Sequence, residues 1–419
     1  MRRSHRRLAR STLLLLPLLP LLLAGYARAE QDGAAPVDTQ QLYREALQSI
    51  AEGRKDDASA TLQQVIANEP LHAGAWLDLA LMQCGLGHQA EAERLFAIIE
   101  ERFAPPPGIL QLIAETRRGG CDSWTPQSQF NVSVGRGIDQ NVNQGASRSS
   151  YGGGQLGLDT EFELTPEFQP QHDQYSVLSA DYLRDLSPNG SIGYVQYQGR
   201  RNDRLRQYDS ASLFAGVETP WRFSNWSLHA NGLLGFISLG GRYYQRQYQG
   251  QLRAGPPLTL PFRVQMNVQA SLTRVEYITL SNFDATTGEL RAQFSRRSDS
   301  SALSASVGVL DDRAAAARPG GNRHGLSASL QWRHRYGGGL TADFGYTWQS
   351  WYSANPYAPG IVDQVRSQIN RGLRATFSYP INKHQNLVLE ARQVRNQENI
   401  SIFQYNGRQL QMSWQWQGP

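Results

Sequence analysis

From about residue 155 to residue 416, apolar and polar side chains alternate in one stretch after another. Phe262, Val264, Met266, Val268, Ala270 and Leu272 interleave with Arg263, Gln265, Asn267, Gln269, Ser271 and Thr273. Leu326, Ala328, Leu330 and Trp332 interleave in the same way with Ser327, Ser329, Gln331 and Arg333. A period of two puts each set on its own face of a β-strand. In a soluble sandwich the apolar face would be the core. Here the second face is rich in Gln, Asn, Ser and Arg, the strands are long, and no helical stretch interrupts them. That pattern predicts an antiparallel transmembrane β-barrel, with apolar side chains toward lipid and polar ones toward a lumen.

Turn-forming residues divide the region. Short connections are expected at Asp185–Gly190, Thr219–Asn225, Pro256–Pro261, Arg297–Ser301, Tyr336–Gly339 and Pro380–Gln385, as periplasmic turns. Longer ones near 165–174, 200–207, 237–242, 276–288, 311–324, 352–365 and 396–402 are expected to face the exterior. They delimit about fourteen strands over residues 155–416, an even number as single-chain barrels require. Phe130–Gly135 also alternates but would break the parity if added alone. Residues 119–154 are therefore expected to form a linker or plug, with 130–135 an inward plug, a periplasmic strand or half of a further pair. Aromatic girdles are expected from Trp221, Phe223 and Trp226 at one edge and Trp348, Trp351 and Tyr352 at the other. Candidate lumen residues are Arg263, Arg333, Arg335, Arg374 and Arg392, partly balanced by Asp343 and Glu390. Any single arginine could instead form an internal pair with a lumen acid or belong to a solvated wall. Fourteen strands can hold a pore, narrowed by a plug or folded loops.

The start of the chain adds a location. Arg2, Arg3, Arg6, Arg7 and Arg10 precede an apolar run from Leu13 to Leu23, and Ala27-Arg28-Ala29 ends in a small-x-small pattern. Residues 1–29 thus read as a secretory signal peptide. Charge is uneven beyond it: residues 30–124 carry a net −8 and residues 125–419 a net +7. An acidic domain joined to a basic one implies different surroundings, here periplasm and outer membrane. The overall excess of arginine does not indicate nucleic acid, to which an exported barrel has no access. Outer-membrane lipid is the implied surrounding.

Residues 38–118 show helical pairs with a 34-residue offset. Trp76, Leu79, Ala80, Ala92, Phe96 and Ile99, with Pro105 closing the second helix, fall where a tetratricopeptide repeat places its large and small residues. The preceding copy supplies Leu42, Ala46, Ala58, Leu62, Val65 and Pro70, and Ile109–Thr116 reads as a capping helix. The first helix of each repeat lines the concave face, which would carry Tyr43, Leu47, Ile50, Leu77 and Leu81. Either the chain's own segments cover this stripe, or it is a docking groove for a peptide. Cys84 and Cys121 would be exported to an oxidising compartment, where a pair tends to be joined. No CxxC motif or nearby His cluster suggests a metal or redox role instead.

The last strand carries Leu410, Met412, Trp414 and Trp416, and so ends in an aromatic three positions from the terminus. Such an ending looks like the signal read by the barrel assembly machinery, although Gln417-Gly418-Pro419 trails it. Together with Gly137-Ile138-Asp139-Gln140-Asn141-Val142-Asn143 and the stretch Arg395-Asn396-Gln397-Glu398-Asn399-Ile400 through Phe403, Tyr405 and Trp414, the chain resembles the surface lipoprotein assembly modulator family. The resemblance implies a periplasmic tetratricopeptide domain and a 14-stranded barrel that delivers exported lipoproteins or secreted proteins to the cell surface. Exopolysaccharide export porins also join such repeats to a barrel and are the alternative; for them a basic lumen would attract an anionic glycan. An enzyme is not expected. His229, His324, His334 and His384 are scattered, there is no HExxH or GxSxG, and no cofactor or metal is implied.

Overall fold

The computed structural model describes residues 39–51, 53–121, 125–152, 161–223, 226–258, 260–360 and 362–418. The expected signal peptide lies outside these. Five helices come first: α1 (Thr39–Ala51), α2 (Lys55–Asn68), α3 (Ala73–Gly85), α4 (Gln89–Phe103) and α5 (Pro107–Gly119). Ala46, Ala58, Ala80 and Ala92 are fully buried, so successive helices approach closely. Leu62, Val65, Leu95, Phe96, Ile99 and Ile113 fill the spaces between them. The residues expected at repeat positions are thus the core of a helical array, held by the hydrophobic effect rather than by propensity alone. Cys84 on α3 and Cys121 after α5 are joined in a disulfide with Cα atoms 4.5 Å apart. Arg117 adds a second tie from α5 to α4, with ion pairs to Glu93 and Glu100 at 2.7 Å each.

The barrel is closed, antiparallel and fourteen-stranded. Its strands are β1 (Ser128–Asp139), β4 (Asp173–Asp185), β5 (Ile192–Asn202), β6 (Ser210–Phe223), β7 (Trp226–Leu239), β8 (Arg242–Gly255) and β9 (Gln265–Tyr277). The circuit continues with β10 (Ala285–Arg297), β11 (Ser301–Ala314), β12 (Arg323–Arg335), β13 (Thr341–Ala358), β14 (Val362–Pro380), β15 (Gln385–Glu398) and β16 (Tyr405–Gly418). Every neighbour in sequence is a neighbour in space, and β1 closes the circuit by pairing with both β4 and β16. A two-stranded ribbon, β2 (Ser150–Gly152) with β3 (Glu161–Glu163), stands apart from the wall.

This corrects the expected start of the barrel. The first wall strand is β1, which contains the Phe130–Gly135 stretch set aside on parity, and not a strand near residue 155. The count of fourteen is unchanged, because one segment replaces the other. Closure decides the matter: Phe130, Val132 and Val134 lie opposite Gly418, Trp416 and Trp414, so the apolar faces of β1 and β16 coincide.

Outward positions form an apolar band that includes Leu290, Val309, Leu326, Leu330, Leu373, Leu410 and Met412, all well exposed on the protein surface. A polar interior behind such a band is the wall of a membrane barrel. Trp221 and Trp226 face outward at the short-turn rim and Trp348 faces outward toward the other. Trp351, expected in the outer girdle, instead shares the inward side of β13, with the Arg323 guanidinium 4.9 Å from its ring centre. No described helix is long and apolar enough to cross a membrane.

The two rims differ. The turns after β4, β6, β8, β10, β12 and β14 span two to nine residues and make the short-turn rim. At the other rim the connection after β1 runs through residues 140–172. Two connections expected there to be long are tight, since β7 ends at Leu239 and β8 starts at Arg242, and β13 ends at Ala358 and β14 starts at Val362. β1 begins and β16 ends on the short-turn rim. The helical array meets the same rim: Arg54, between α1 and α2, is 3% exposed, and a Cβ placed on Gly190 after β4 would stand 3.9 Å from its Cγ.

Candidate functional site: the lumen and its mouth

On the strands the inward set is mostly amide, hydroxyl and charge, and its carboxylates are paired with one or two arginines from the same strand, a neighbouring strand or the adjoining connection. Asp343 on β13 takes Arg333 Nε at 3.0 Å, Arg374 at 3.5 Å and the Gln331 amide at 2.9 Å. Glu289 holds Arg291 at 2.6 Å and accepts from the Ser327 hydroxyl at 3.0 Å. Glu218 meets Arg253 and His229, each at 3.2 Å, and Glu398 meets Arg366 at 2.7 Å. Asp312, 1% exposed, binds both Arg318 and Arg323 at 2.8 Å. Carboxylates removed from water need this kind of pairing, since a lone buried charge is costly.

The expected lumen set divides accordingly. Asp343, Arg333 and Arg374 form one cluster, and Arg374 lines a cavity of about 650 Å³ with Glu390 and Arg392. Arg335 ends β12 at the short-turn rim. Arg263 is not on a wall strand. Pro261 opens a 3-10 turn in which Phe262 and Arg263 take φ of +59° and +56°, and β9 starts only at Gln265. Alternation alone could not see that turn, because Phe262 and Val264 continue the period through it.

The mouth at the long-loop rim joins the 137–143 stretch to Tyr175, Arg200 and Gln409, which sequence patterns did not single out. Gly137 has no Cβ, and one would lie 2.5 Å from the Tyr175 ring, so glycine there lets Tyr175 lie across the inner face of β1. Arg200 stacks over that ring at 3.9 Å and reaches Asp139 at 2.9 Å. Asp139 also accepts from Gln409 at 2.8 Å and from the backbone N–H of Asn141 at 2.9 Å. Tyr175 and Asp139 are both buried.

The segment after Asp139 then turns into the lumen, where Asn141, Val142 and Gln144 line the same cavity as Ser329, Thr347 and Arg374. Side-chain amides make this path. Asn141 donates to the carbonyls of Gly145 at 3.0 Å and Asn406 at 2.8 Å, and its Oδ1 accepts from Gly145 N–H at 2.7 Å. Asn143 donates to the carbonyls of Glu167 and Gln169 and accepts from Gln171 N–H. Asparagine here replaces the strand ladder that an irregular backbone lacks.

The second stretch, Arg395 to Tyr405, builds the facing part of the mouth. Asn396, 1% exposed, donates to the Phe403 carbonyl at 2.8 Å and accepts from Gln368 at 2.8 Å. Asn399 donates to the Val365 carbonyl at 2.8 Å, and Ser147 N–H to the Gln404 carbonyl at 2.8 Å, which joins the two loops. The two sequence segments thus meet in space at the mouth. Pairing across 265 residues, as between Asn141 and Asn406, leaves no local trace that spacing could reveal.

On the helical array, Tyr43, Ile50, Leu77 and Leu81 are half-buried against the core, and Leu47 is 40% exposed. The Tyr43 hydroxyl donates to Asp78 at 2.7 Å and its ring lies 4.4 Å from that of His72. Burial, together with the Asp78 carboxylate, pushes the Tyr43 phenol up to about 12. At the short-turn rim the Ser301 hydroxyl stands 2.6 Å from His334 Nδ1, but no carboxylate orients this His among the described contacts, so a hydrolytic triad is not assembled. No group of three or more metal-binding side chains occurs among the described residues.

No protein-family model matches the chain, and no curated protein matches it. Solved structures do. The outer membrane channel DcaP of Acinetobacter baumannii aligns with 70% of this chain and 97% of its own length, at a TM-score of 0.40 and 8% identity. An anion-selective porin from Comamonas acidovorans aligns with 70% of this chain and 99% of its own, at 0.36 and 10%. A bacterial polysaccharide outer membrane secretin aligns with 70% and 98%, at 0.34 and 10%. Likenesses this distant carry nothing about cargo over to this chain.

Proposed function

We propose that this protein is an outer-membrane conduit that delivers exported polypeptides, lipoproteins among them, to the cell surface. The rim with short turns is then periplasmic, as in other barrels of this class. The helical array on that rim receives the cargo, through the α1 and α3 face of Tyr43, Leu47, Ile50, Leu77 and Leu81. The observation that carries this reading over glycan export is the partial compensation of the lumen arginines by wall carboxylates. Export of an anionic glycan would be served by an arginine track, but Arg333 and Arg374 share Asp343, and Arg263 lies in a rim turn. Two arginines on one carboxylate keep one net positive charge rather than two, so the track that a passing anion would meet is weakened and interrupted. The resemblance of 137–143 and 395–414 to the surface lipoprotein assembly modulators supports the same cargo class.

The test compares a deletion strain with its complemented parent. Protease shaving of intact cells, followed by identification of released peptides, reads surface-displayed proteins, while extracellular polysaccharide is measured in parallel. Defined lipoproteins should disappear from the surface and remain in the cell, with polysaccharide unchanged. Lost polysaccharide with an unaltered surface proteome would overturn the proposal in favour of glycan export.

A further inference from the structure

We infer that the outward face of β14–β16 binds a phosphorylated, multi-acylated glycolipid of the lipopolysaccharide class. Three arginines on this face point toward the membrane side. Arg371 shares the outward side of β14 with Leu373 and Phe377, Arg395 that of β15 with Leu387 and Leu389, and Arg408 that of β16 with Leu410 and Met412. Arg371 lies directly opposite Arg395, and Arg408 is the diagonal neighbour of Arg395, since it pairs with Gln393. Like charges directly opposite one another on a sheet are destabilising unless something neutralises them. Nothing in the wall does so: the outward positions of β13 from Phe344 to Ser350, of β14 from Ile369 to Tyr379, of β15 and of β16 carry no Asp or Glu. The inward Arg374–Arg392 pair contrasts with this, because Asp343 and Glu390 lie beside it.

The height of the three is also shared. Each lies nine or ten residues from the short-turn end of its strand, at Pro380, Gln385 and Gly418. With a rise of about 3.3 Å per residue and a tilt near 40°, that is about 25 Å, the height of the apolar band. The arginines therefore sit at its far edge, the level of headgroups in the outer leaflet.

Below them the surface is indented rather than convex. Ala375 and Ala391 lie opposite one another, and with Tyr346, Leu373 and Leu410 they border an outward cavity of about 520 Å³ that Arg408 also lines. Trp348, opposite Arg371, supplies an interfacial aromatic beside the charges. A cationic row above an apolar hollow matches a ligand whose phosphates lie above its acyl chains. Phospholipid of one charge would leave the row partly unpaired, whereas two phosphates on one headgroup can bridge it.

The test uses the full chain, purified in detergent and shown to be folded by heat-modifiable migration. Binding of diphosphoryl lipid A is measured by native mass spectrometry, beside its dephosphorylated form and beside inorganic phosphate. The variant R371Q/R395Q/R408Q should bind diphosphoryl lipid A about 100-fold more weakly, at close to one arginine's attraction per charge removed. The wild type should prefer the diphosphoryl form to the dephosphorylated one, and inorganic phosphate should not displace it. A second variant, Ala391→Phe, keeps the charges and fills the hollow, and should lower occupancy about tenfold for loss of acyl-chain contact. Equal binding by the triple variant, or by the Ala391→Phe barrel should the triple variant not fold, would overturn the assignment. So would equal affinity for the dephosphorylated lipid, or displacement by inorganic phosphate alone. None of these outcomes depends on what the conduit carries.

Discussion

Replacing Asn141 by Ala should open the mouth of the barrel without unfolding its wall. The side chain is 5% exposed and makes three hydrogen bonds, two donated to the Gly145 and Asn406 carbonyls and one accepted from Gly145 N–H. Each is worth about 1 kcal/mol net, so about 3 kcal/mol of the inward fold of residues 140–147 is lost. At 1.4 kcal/mol per factor of ten, the population of the displaced loop rises about 100-fold. The β1–β16 and β1–β4 ladders lie outside the change and should hold. Planar-bilayer recording should then show larger and noisier conductance. Arg148, which is exposed in the same connection, should be cut by trypsin at a much higher rate. Asn141→Asp should be at least as severe, because the two donated bonds are lost and a second carboxylate is placed near Asp139. If the Ala variant keeps the wild-type conductance and the wild-type rate of cleavage at Arg148, the inward segment is held by something other than these amides, and the account of the mouth is wrong.

Two further outcomes concern the helical array. Cys84→Ser or reduction opens a link between residues 37 apart, and should lower the stability of the array by about 3–4 kcal/mol; helical circular dichroism should melt earlier while the barrel keeps its heat-modifiable migration. The Tyr43 phenol, raised by burial and the Asp78 carboxylate to about 12 from its ordinary 10, stays protonated in the folded array after the unfolded chain has lost that proton. Its contribution is therefore complete below pH 10 and falls as pH rises toward 12. Tyr43→Phe should flatten that part of the curve in melts at pH 9 to 11.5, and an identical alkaline decline in the variant would refute the linkage.

Much of the wall was readable because membrane barrels obey a local rule. Turn residues and a period of two place each hairpin, and the six short connections expected from Pro, Gly and Asn fall at the short-turn rim between the observed strands. The array was readable for a similar reason: small residues at a fixed offset, Ala46, Ala58, Ala80 and Ala92, are where helices must touch, and all four are fully buried. What failed was closure. An even count cannot say which of two alternating segments, 130–135 or one near 155, is the wall strand, since either satisfies it. Only the matching of Val132 and Val134 with Trp416 and Trp414 decides, and that match joins the two ends of the barrel. The signal was present in the outward apolar set of the last strand, which requires a first strand whose apolar positions face the same way.

The lumen shows the same division between local and non-local information. Arg333 and Asp343 face each other across a hairpin, at positions directly paired, so their bond could be anticipated from the turn between them. Arg200 and Asp139 could not, because β4 stands between their strands and Tyr175 fills the space beneath the guanidinium. This is why a list of inward arginines overstates the field a cargo would meet. Each strand contributes charge by its own alternation, but the potential in the pore depends on which acid the closed wall sets beside each base. In this barrel the inward bases largely find acids, whereas the outward row of Arg371, Arg395 and Arg408 finds none. Some attraction for an anion is therefore left on the membrane side of β14–β16, where no acid shares the row, whereas along the pore most arginines share a carboxylate.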